Sequence, residues 1–181
     1  LLNGNISREE AALLYIAIST DTGCFQYSNT NAETLRAAAE TLDAGANVHE
    51  LNQRFFRRVT RARIELEGMI YSGMTFHHGG YVAVAEVTLD MLQKAGATEN
   101  DCDDLASLVG RVEGAEVGVT IREMEDGRSK ISVRSSPNFD SSALCAVFGG
   151  GGHKMASGCT IKCPPDEAKL RLLQAIDGML K

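Results

Sequence analysis

The chain has 181 residues, of which 44% are hydrophobic and 23% charged, and its formal net charge is −6. This composition is sufficient for a packed core and excludes a wholly disordered chain, and the excess of acids argues against a protein that coats nucleic acid through a broad basic surface. No apolar run reaches the roughly 20 residues of a membrane helix and no secretory leader is visible, so we expect a cytoplasmic protein with no membrane partner.

The cysteines and the first residue bear on cellular context. The sequence has five cysteines, at Cys24, Cys102, Cys145, Cys159 and Cys163. Their number is odd and no two form a Cys-x-x-Cys pair, so the pattern indicates neither a disulfide framework nor a zinc site, and we expect reduced, mostly buried thiols. The chain opens at Leu1 without a methionine, which we interpret as the continuation of a longer protein.

The first third of the chain predicts helices with strong start patterns. Each start places a capping side chain three residues before an acid, which satisfies free N–H groups at a helix N-terminus. The three pairs are Ser7 with Glu10, Thr30 with Glu33 and Asn47 with Glu50. Gly45 is expected to end the second helix. Apolar stripes follow the first two caps, with Ala11, Leu14, Tyr15 and Ile18 in the first helix and Leu35, Ala38, Ala39 and Leu42 in the second.

The third cap begins a longer pattern, from about Glu50 to Ile70. Its apolar stripe predicts one continuous buried helix that connects two differently patterned regions; the stripe comprises Phe55, Val59, Ala62, Leu66 and Met69. We therefore expect a domain boundary near residue 68, with domains over 1–68 and 69–181. The arginines on the other faces of this helix are interpreted as a solvated surface rather than a phosphate site.

After Gly73 the pattern changes to strands separated by short helices. Two strands flanking the glycine turn His77–Gly80 predict a hairpin. Thr88 is expected to cap a helix through Lys94, and a second helix is expected from Asp101 to Val109.

A second hairpin turns at Asp126-Gly127, and its register can be chosen from side-chain alternation. A two-residue loop would pair Ile121 with Ser132, which sets an apolar residue against a polar one. A three-residue loop over 125–127 pairs Ile121 with Ile131 instead, so we predict this register.

The same register places Arg134 opposite Gly118, where the missing side chain is expected to leave room for the guanidinium group. Further along, Asp140 is expected to cap a helix through Val147. A strand is expected over Ser157–Cys163 and a closing amphipathic helix over Asp166–Leu180. The second region is therefore α+β.

A run of four glycines, followed by His153 and Lys154, is the most unusual segment. Bare glycine amides in a concave nest suit phosphate oxygens, and the two following side chains add donors. A flexible link from helix to strand explains Phe148–Lys154 equally well, and composition alone does not separate the two interpretations.

Two single residues are further candidates. Asp21, within Thr20–Phe25, lies just past the first predicted helix, where a carboxylate can ligate a hard divalent ion; an isolated Asp before Gly is more often a turn or capping residue. Arg134 with Ser135 at a strand end can clamp a phosphate through bidentate contacts, although an ordinary surface arginine is equally allowed.

The order of these pieces resembles the DHH phosphoesterase family. A helix leads into Thr-Asp-Thr-Gly-x-Phe at Thr20–Phe25 and Tyr-Ser-Asn-Thr at Tyr27–Thr30, and the α+β region carries Arg-Ser and then Gly-Gly-Gly-His-x-x-Ala-Ser-Gly at Gly150–Gly158. The likeness covers nearly the whole chain and is greatest for the bacterial oligoribonuclease and pAp phosphatase branch, also called nano-RNases. Two distant motifs in the correct order are more specific than either alone.

The resemblance implies an α/β-family protein in which 1–68 is a helical remnant of the catalytic DHH domain and 69–181 is an α+β DHH-associated domain with a mixed sheet. It implies that Asp21 is a catalytic ligand of one of two divalent ions, usually Mn²⁺. The implied substrate-binding residues are Arg134, Ser135, Gly150, Gly151, Gly152 and His153. The implied partners are short RNA oligonucleotides, dinucleotides or pAp, and a homodimer is compatible with the family pattern.

The chain departs from the family pattern in one large respect, because it has no Asp-His-His motif and none of the earlier aspartate motifs. One aspartate does not hold two ions, so we expect that this chain alone neither binds Mn²⁺ tightly nor hydrolyses substrate. Two other functions stay open. A non-catalytic nucleic-acid-binding module is one, since this domain type also occurs on alanyl-tRNA synthetases; an inorganic pyrophosphatase or exopolyphosphatase is the other.

Overall fold

A computed structural model describes residues 6–180, so the interpretation based on Leu1 concerns a residue outside this range. The chain divides into two compact units, over 1–59 and 60–181. The boundary expected near residue 68 falls inside the first helix of the second unit.

The first unit consists of helices. They are α1 (Arg8–Asp21), α2 (Ala32–Asp43) and α3 (Val48–Asn52), with a π-helical turn at Gln53–Arg57. The predicted capping box of Ser7 with Glu10 is present, and Asn47 caps α3. The cap predicted at Thr30 is wrong by one residue: Asn31 caps α2, because its side-chain amide oxygen accepts from the backbone N–H groups of Glu33 and Thr34, at 2.9 and 3.0 Å.

The buried face of α2 differs from the predicted stripe. Leu35 is 52% exposed and Leu42 48% exposed within this chain, so of the predicted apolar stripe only Ala38 is buried. The buried residues are Ala38 and Thr41. Small side chains at this three-residue spacing let α2 pack closely on α1, where Ala11 and Tyr15 are buried.

The single long helix predicted from Glu50 to Ile70 is wrong. The chain leaves the helical conformation at Arg58, with φ −90° and ψ 121°, and a new helix, α4 (Arg61–Gly73), begins after Thr60. The hydroxyl oxygen of Thr60 accepts from the Arg63 backbone N–H at 2.9 Å. This N-cap interrupts the apolar stripe, which is buried only in its second half.

The second unit places a six-stranded sheet between helices. Its strands are β1 (Thr75–His77), β2 (Val82–Val87), β3 (Val117–Glu123), β4 (Ser129–Ser135), β5 (Gly151–His153) and β6 (Ala156–Ile161), in the order β1-β2-β3-β4-β6-β5. Its helices after α4 are α5 (Leu89–Ala95), α6 (Ala106–Val109), α7 (Ser141–Ala146) and α8 (Pro165–Met179). The β2–β3 pair is parallel and the other pairs are antiparallel, so the predicted mixed sheet and α/β class are confirmed.

Two apolar clusters hold the layers together. One cluster packs α7 and α8 on the sheet, through residues such as Leu144 and Leu172 against Ile121 and Val133. The other packs α4 to α6 on the opposite side, with Leu66 and others around β2. All five cysteines are free and four of them are buried, as predicted. No helix within residues 6–180 is long and apolar enough to cross a membrane.

The second hairpin has the predicted register. Ile121 pairs with Ile131 and Gly118 pairs with Arg134, so alternation alone selected the correct loop. The expected reason for the glycine is wrong, however. A Cβ on Gly118 would lie 2.8 Å from Cγ2 of Val109, so the missing side chain makes room for α6 rather than for the guanidinium group.

The helix predicted from Asp101 to Val109 is wrong in its first half. A 3-10 turn covers Glu99–Cys102, and Thr98 caps it in a capping box with Asp101. Asp104 then takes a left-handed conformation with φ 55°, and α6 begins only at Ala106. The cap one turn earlier and the left-handed residue explain why the helix is split.

Candidate phosphate-binding site

The predicted arginine and histidine lie in one row across the sheet. Arg134 on β4 pairs with Ala156 on β6, and Ala156 pairs with His153 on β5. Residues directly opposite in antiparallel strands project from the same face. We call this face, which carries Arg134, Ala156 and His153, the outer face. Two strand spacings of about 4.8 Å separate the two polar residues, with only a methyl group between them.

The glycine run forms part of a strand, so neither interpretation from the sequence describes it fully. Gly151–His153 is the edge strand β5. The N–H of Gly149 donates to the Ala146 carbonyl at 3.0 Å, and that of Gly150 donates to the Cys145 carbonyl at 2.9 Å. These two amides complete the end of α7 and are therefore not free for a phosphate.

The three motif glycines differ in what surrounds them. A Cβ on Gly150 would lie 2.3 Å from the Gly158 carbonyl oxygen, and one on Gly152, where φ is 145°, would lie 2.7 Å from the Ala156 carbonyl oxygen. Both positions are restricted by the fold itself. A Cβ on Gly151 would meet nothing within 4 Å. Gly151 pairs with Gly158, so the outer face is bare backbone at this position.

Arg134 is half-buried beside this bare surface. One N–H of its guanidinium donates to the Val133 carbonyl at 3.1 Å, which fixes the side chain against its own strand. Among residues 6–180 no carboxylate pairs with it. A guanidinium held in place, with donors left over, suits a phosphate oxygen pair.

Ser135 lies on the opposite face from Arg134, because neighbouring residues of a strand alternate. Its hydroxyl is 2.9 Å from the Phe139 carbonyl oxygen and 3.3 Å from that of Lys154. The structure thus gives Ser135 a role in joining two loops. Direct phosphate binding by Ser135 stays a prediction, although its side chain lies on the face opposite to that of Arg134.

Strand β6, which pairs with the glycine-containing strand β5, is attached to α7 through buried thiol and hydroxyl groups. Ser157 Oγ lies 2.6 Å from the Ser141 carbonyl oxygen and 3.0 Å from Cys145 Sγ. A hydrogen bond with Cys159 lowers the pKa of the Cys145 thiol, against the effect of burial, and raises the pKa of Cys159. These contacts fix β6 on α7, and with it the row that holds Arg134 and His153.

Asp21 belongs to the first unit, where it is the last residue of α1 rather than a loop residue. Its carboxylate is exposed and accepts from the Asn29 amide at 3.0 Å. The turn after it is strained, since Cys24 and Phe25 both have positive φ, at 56° and 66°. Thr22 supports this turn by accepting from the Phe25 N–H at 3.1 Å.

The residues present do not form a two-metal centre. Within residues 6–180, no group of three or more histidines, cysteines, aspartates or glutamates is arranged to hold a metal ion. Asp21, with an amide rather than a second acid beside it, offers too few ligands for two divalent ions. The predicted Mn²⁺ role of Asp21 stays a prediction.

Comparisons with known proteins identify a domain in this chain and several relatives. Residues 79–181 match the DHHA1 domain. The chain is 39% identical over 178 residues to the bifunctional oligoribonuclease and PAP phosphatase NrnA of Thermus thermophilus, and the match covers 97% of this chain and 52% of that protein. The chain therefore spans about half the length of this curated relative.

Two further similarities concern the fold and a different enzyme. A crystal structure of an exopolyphosphatase-related protein from Bacteroides fragilis superposes with a TM-score of 0.88 at 27% identity, covering 96% of this chain and 51% of that one. The A-adding tRNA nucleotidyltransferase of Aquifex aeolicus is 28% identical over 174 residues, which cover 94% of this chain and 20% of that protein.

Proposed function

This chain belongs to the DHH family, of which it carries the DHHA1 domain, and from that premise we propose that it is part of a phosphoesterase that hydrolyses short oligoribonucleotides and pAp. In this proposal the second unit binds nucleotide phosphate. The relative from Thermus thermophilus, named as an oligoribonuclease and PAP phosphatase, supports the substrate class.

The main support for the proposal is that Arg134 and His153 lie in one row on the outer face. The two side chains project from one surface, with Ala156 between them and the bare backbone of Gly151 and Gly158 in the next row. A phosphate can approach this surface closely at Gly151, because among the described residues no atom lies within 4 Å of a Cβ placed there.

In this proposal Arg134 holds a non-reacting phosphate through paired hydrogen bonds, and Gly151 leaves room for it. His153 adds a polar group on the far side of the same phosphate or its sugar. Fixing one phosphate positions the rest of a short substrate, which lowers the entropic cost of reaction elsewhere. A short ligand suits an acidic protein, which gains little from a long polyanion.

The metal chemistry is proposed for the complete enzyme and not for this chain. Two Mn²⁺ ions would activate a water and stabilise the charge on the phosphorus oxygens. The residues described here supply too few ligands for two ions, so we propose that the 181-residue chain does not hydrolyse substrate on its own. Asp21 would contribute one ligand, and the cytoplasmic location and homodimer stay predictions.

The test is a calorimetric titration of the 181-residue chain with pApA and pAp, without metal. Arg134→Ala should weaken binding of both by about tenfold or more, the effect expected for lost hydrogen bonds to a charged group. Arg171→Ala is the matched control: it removes the same charge from α8, on the other side of the sheet, where the arginine pairs with Glu167. Equal losses in both variants would reject the clamp.

A nucleic-acid-binding module is the second candidate, favoured by the similarity to part of a tRNA nucleotidyltransferase. It predicts tighter binding of a long single-stranded RNA than of pApA, and binding that falls steeply with salt. The proposed phosphoesterase predicts no gain from added length. Pyrophosphate in the same titration tests the pyrophosphatase alternative, which requires it to bind more tightly than the nucleotides.

A further inference from the structure

A pocket of about 190 Å³ lies beside Arg134 on the second unit. We call it the hairpin pocket, because one side is formed by the hairpin strands β3 and β4 and the other by the segment 102–106. The strand residues that line it are Thr120, Arg122, Lys130, Ser132 and Arg134. The pocket is several times larger than the roughly 30 Å³ that one water occupies in the liquid, so it has room for a heterocycle.

The hairpin pocket is polar on its strand side and apolar on its segment side, where Cys102, Leu105 and Ala106 line it. On the strand side, two buried polar atoms have no hydrogen-bond partner among the described residues. They are Oγ1 of Thr120, a residue that is only 5% exposed, and Nε of Arg122. Buried polar groups in folded proteins are nearly always hydrogen-bonded, so these two atoms indicate a ligand with polar groups along one edge.

The charges around the hairpin pocket balance, which disfavours an anion as its ligand. Three of the strand residues are cations, but Asp103 and Asp104 also line the pocket, and Glu99 pairs with Arg122 at 2.9 Å. A neutral ligand with apolar faces and a polar edge fits this lining better. Nucleobases have this character, and proteins bind them by placing apolar side chains against their faces and hydrogen-bonding groups at their edge.

The position of the pocket relates it to the phosphate proposed to bind Arg134. Thr120 pairs with Ser132. Ser132 precedes Arg134 by two residues and lies on the same face of β4, about 6.8 Å away. A nucleoside attached to that phosphate can therefore extend along the hairpin into the pocket.

From these observations we propose that the hairpin pocket binds the purine base of the nucleotide whose 5′-phosphate Arg134 holds. The inference rests on the proposed function and deepens it, since it assigns to the second unit the 5′-phosphonucleoside that pAp and pApA share. The base and the 3′-oxygen leave the sugar at different carbons. The reacting phosphate, which is attached to the 3′-oxygen in both ligands, therefore stays outside the pocket and free to reach the metal ions of the complete enzyme.

A purine matches the two unpartnered atoms better than a pyrimidine does. Beside its exocyclic group a purine presents the acceptor N7, and the exocyclic group is a donor in adenine and an acceptor in guanine. The Arg122 Nε–H can only donate, which suits N7, and the Thr120 hydroxyl can donate or accept, which suits either exocyclic group. A pyrimidine presents one polar group at the corresponding edge, so one of the two buried atoms would stay unpaired.

The test is calorimetry of the 181-residue chain, without metal, with 5′-AMP, 7-deaza-5′-AMP and ribose 5-phosphate. The 7-deaza analogue differs from 5′-AMP only in having a C–H group in place of N7, and ribose 5-phosphate has no base. 5′-AMP should bind about tenfold more tightly than the 7-deaza analogue, the effect expected for one lost hydrogen bond to a charged group. Ribose 5-phosphate should bind most weakly. Equal affinities for 5′-AMP and the 7-deaza analogue would overturn the proposal.

Arg122→Lys connects the effect to the pocket, because lysine keeps the positive charge beside Glu99 but has no N–H at the position of Nε. This variant should bind 5′-AMP about tenfold more weakly than the unmodified chain, bind 5′-AMP and the 7-deaza analogue equally, and bind ribose 5-phosphate unchanged. Arg128→Lys is the matched control, since Arg128 lies in the same hairpin, outside the pocket, and pairs with Asp126. A tenfold preference for 5′-AMP over the analogue that persists in Arg122→Lys would overturn the site.

Thr120→Val tests the unpartnered hydroxyl, since valine has nearly the same shape. The variant should have a raised Tm, because it removes a buried polar group without a partner, and it should bind 5′-AMP more weakly while its affinity for ribose 5-phosphate is unchanged. A lowered Tm with unchanged affinity for 5′-AMP would show that the hydroxyl serves the fold, and would overturn its assignment to the base.

The proposed function and the base site fail differently. If the unmodified chain binds neither 5′-AMP nor ribose 5-phosphate, the proposed function fails and the base site fails with it. If the unmodified chain binds both ligands with equal affinity, only the base site fails.

Discussion

Single residues of the glycine motif have separate roles, although the sequence repeats the same letter. Gly150 and Gly152 lie against backbone atoms of the neighbouring strand, whereas Gly151 faces open space. A glycine without a structural requirement, on the surface that carries Arg134 and His153, is best explained by the approach of a ligand.

Gly151→Ala should therefore leave the fold intact and impair binding. We expect a Tm close to that of the unmodified chain, because the added methyl group meets nothing within 4 Å, and a clear loss of pApA affinity in calorimetry. Gly150→Ala is the structural contrast, since its Cβ would lie 2.3 Å from a carbonyl oxygen. It should lower the Tm strongly or prevent folding. Unchanged pApA affinity in Gly151→Ala would contradict the role proposed for this glycine.

At the scale of elements, the start of α4 depends on one threonine. Thr60 Oγ1 accepts from the Arg63 N–H at 2.9 Å and donates to the Asp101 carboxylate at 2.5 Å. Arg63 in turn donates to the backbone carbonyl of Asp101 at 2.7 Å. The cap therefore joins α4 to the 3-10 turn at Glu99–Cys102.

Thr60→Ala should lower the free energy of unfolding of the second unit by about 1 kcal/mol, the usual effect of a lost N-cap. Urea unfolding followed by circular dichroism measures it. Thr60→Ser keeps the hydroxyl and should retain most of the stability. Equal destabilisation by both substitutions would mean that the methyl group, and not the cap, is what matters.

The hydrogen bond between Thr60 and Asp101 also predicts that the stability of the second unit depends on pH. Hydrogen bonds from the Thr60 side chain and then from the Thr98 backbone lower the pKa of Asp101. A group whose pKa is lower in the folded state stabilises the fold above its unfolded value, near 3.9, and this contribution is lost as pH falls through the folded value. The stability difference between the unmodified chain and Asp101→Asn should shrink from about pH 5 towards pH 3. A difference that stays constant over this range in urea unfolding would contradict the assignment.

The elements show which parts of the fold were predictable from sequence. The β3–β4 register was predictable because, of the two loops compared, only the three-residue loop pairs Ile121 with an apolar partner. The break at 58–60 was missed because a continuous apolar spacing concealed the cap at Thr60. Strand β5 was missed because glycine has a low β propensity, and its pairing with Ala156–Gly158 is set by tertiary packing.

The residues of the candidate site were also only partly predictable from sequence. The sequence motifs identified Arg134, Gly151 and His153, and strand pairing across β6 brings these residues to one face of the sheet. Ser135 lies on the other face of the strand, because neighbouring residues of a strand alternate, and phosphate binding by Ser135 stays a prediction.

At the scale of the whole molecule, the two units differ in how many hydrophobic residues they bury. Among the described residues of 1–59, the buried hydrophobic residues are Ala11, Tyr15 and Ala38, whereas the second unit has two apolar clusters on the two sides of its sheet. Several large apolar side chains of the first unit are exposed within this chain, including Leu13 at 68% and Val59 at 56%. Burial of apolar surface is the main favourable contribution to folding, so the first unit should be much less stable.

This contrast predicts two separate unfolding transitions. Hydrogen exchange with mass spectrometry across a urea series should show the amides of α1 and α2 losing protection at lower urea than those of β3 and β4, because local stability follows local burial. A shorter chain over 60–181 should fold and show the later transition at the same urea concentration. It should also bind 5′-AMP as well as the longer chain does, since Arg134, Gly151 and His153 all lie within it. Loss of protection in both units at one urea concentration, or a shorter chain that fails to fold, would contradict the independence of the second unit.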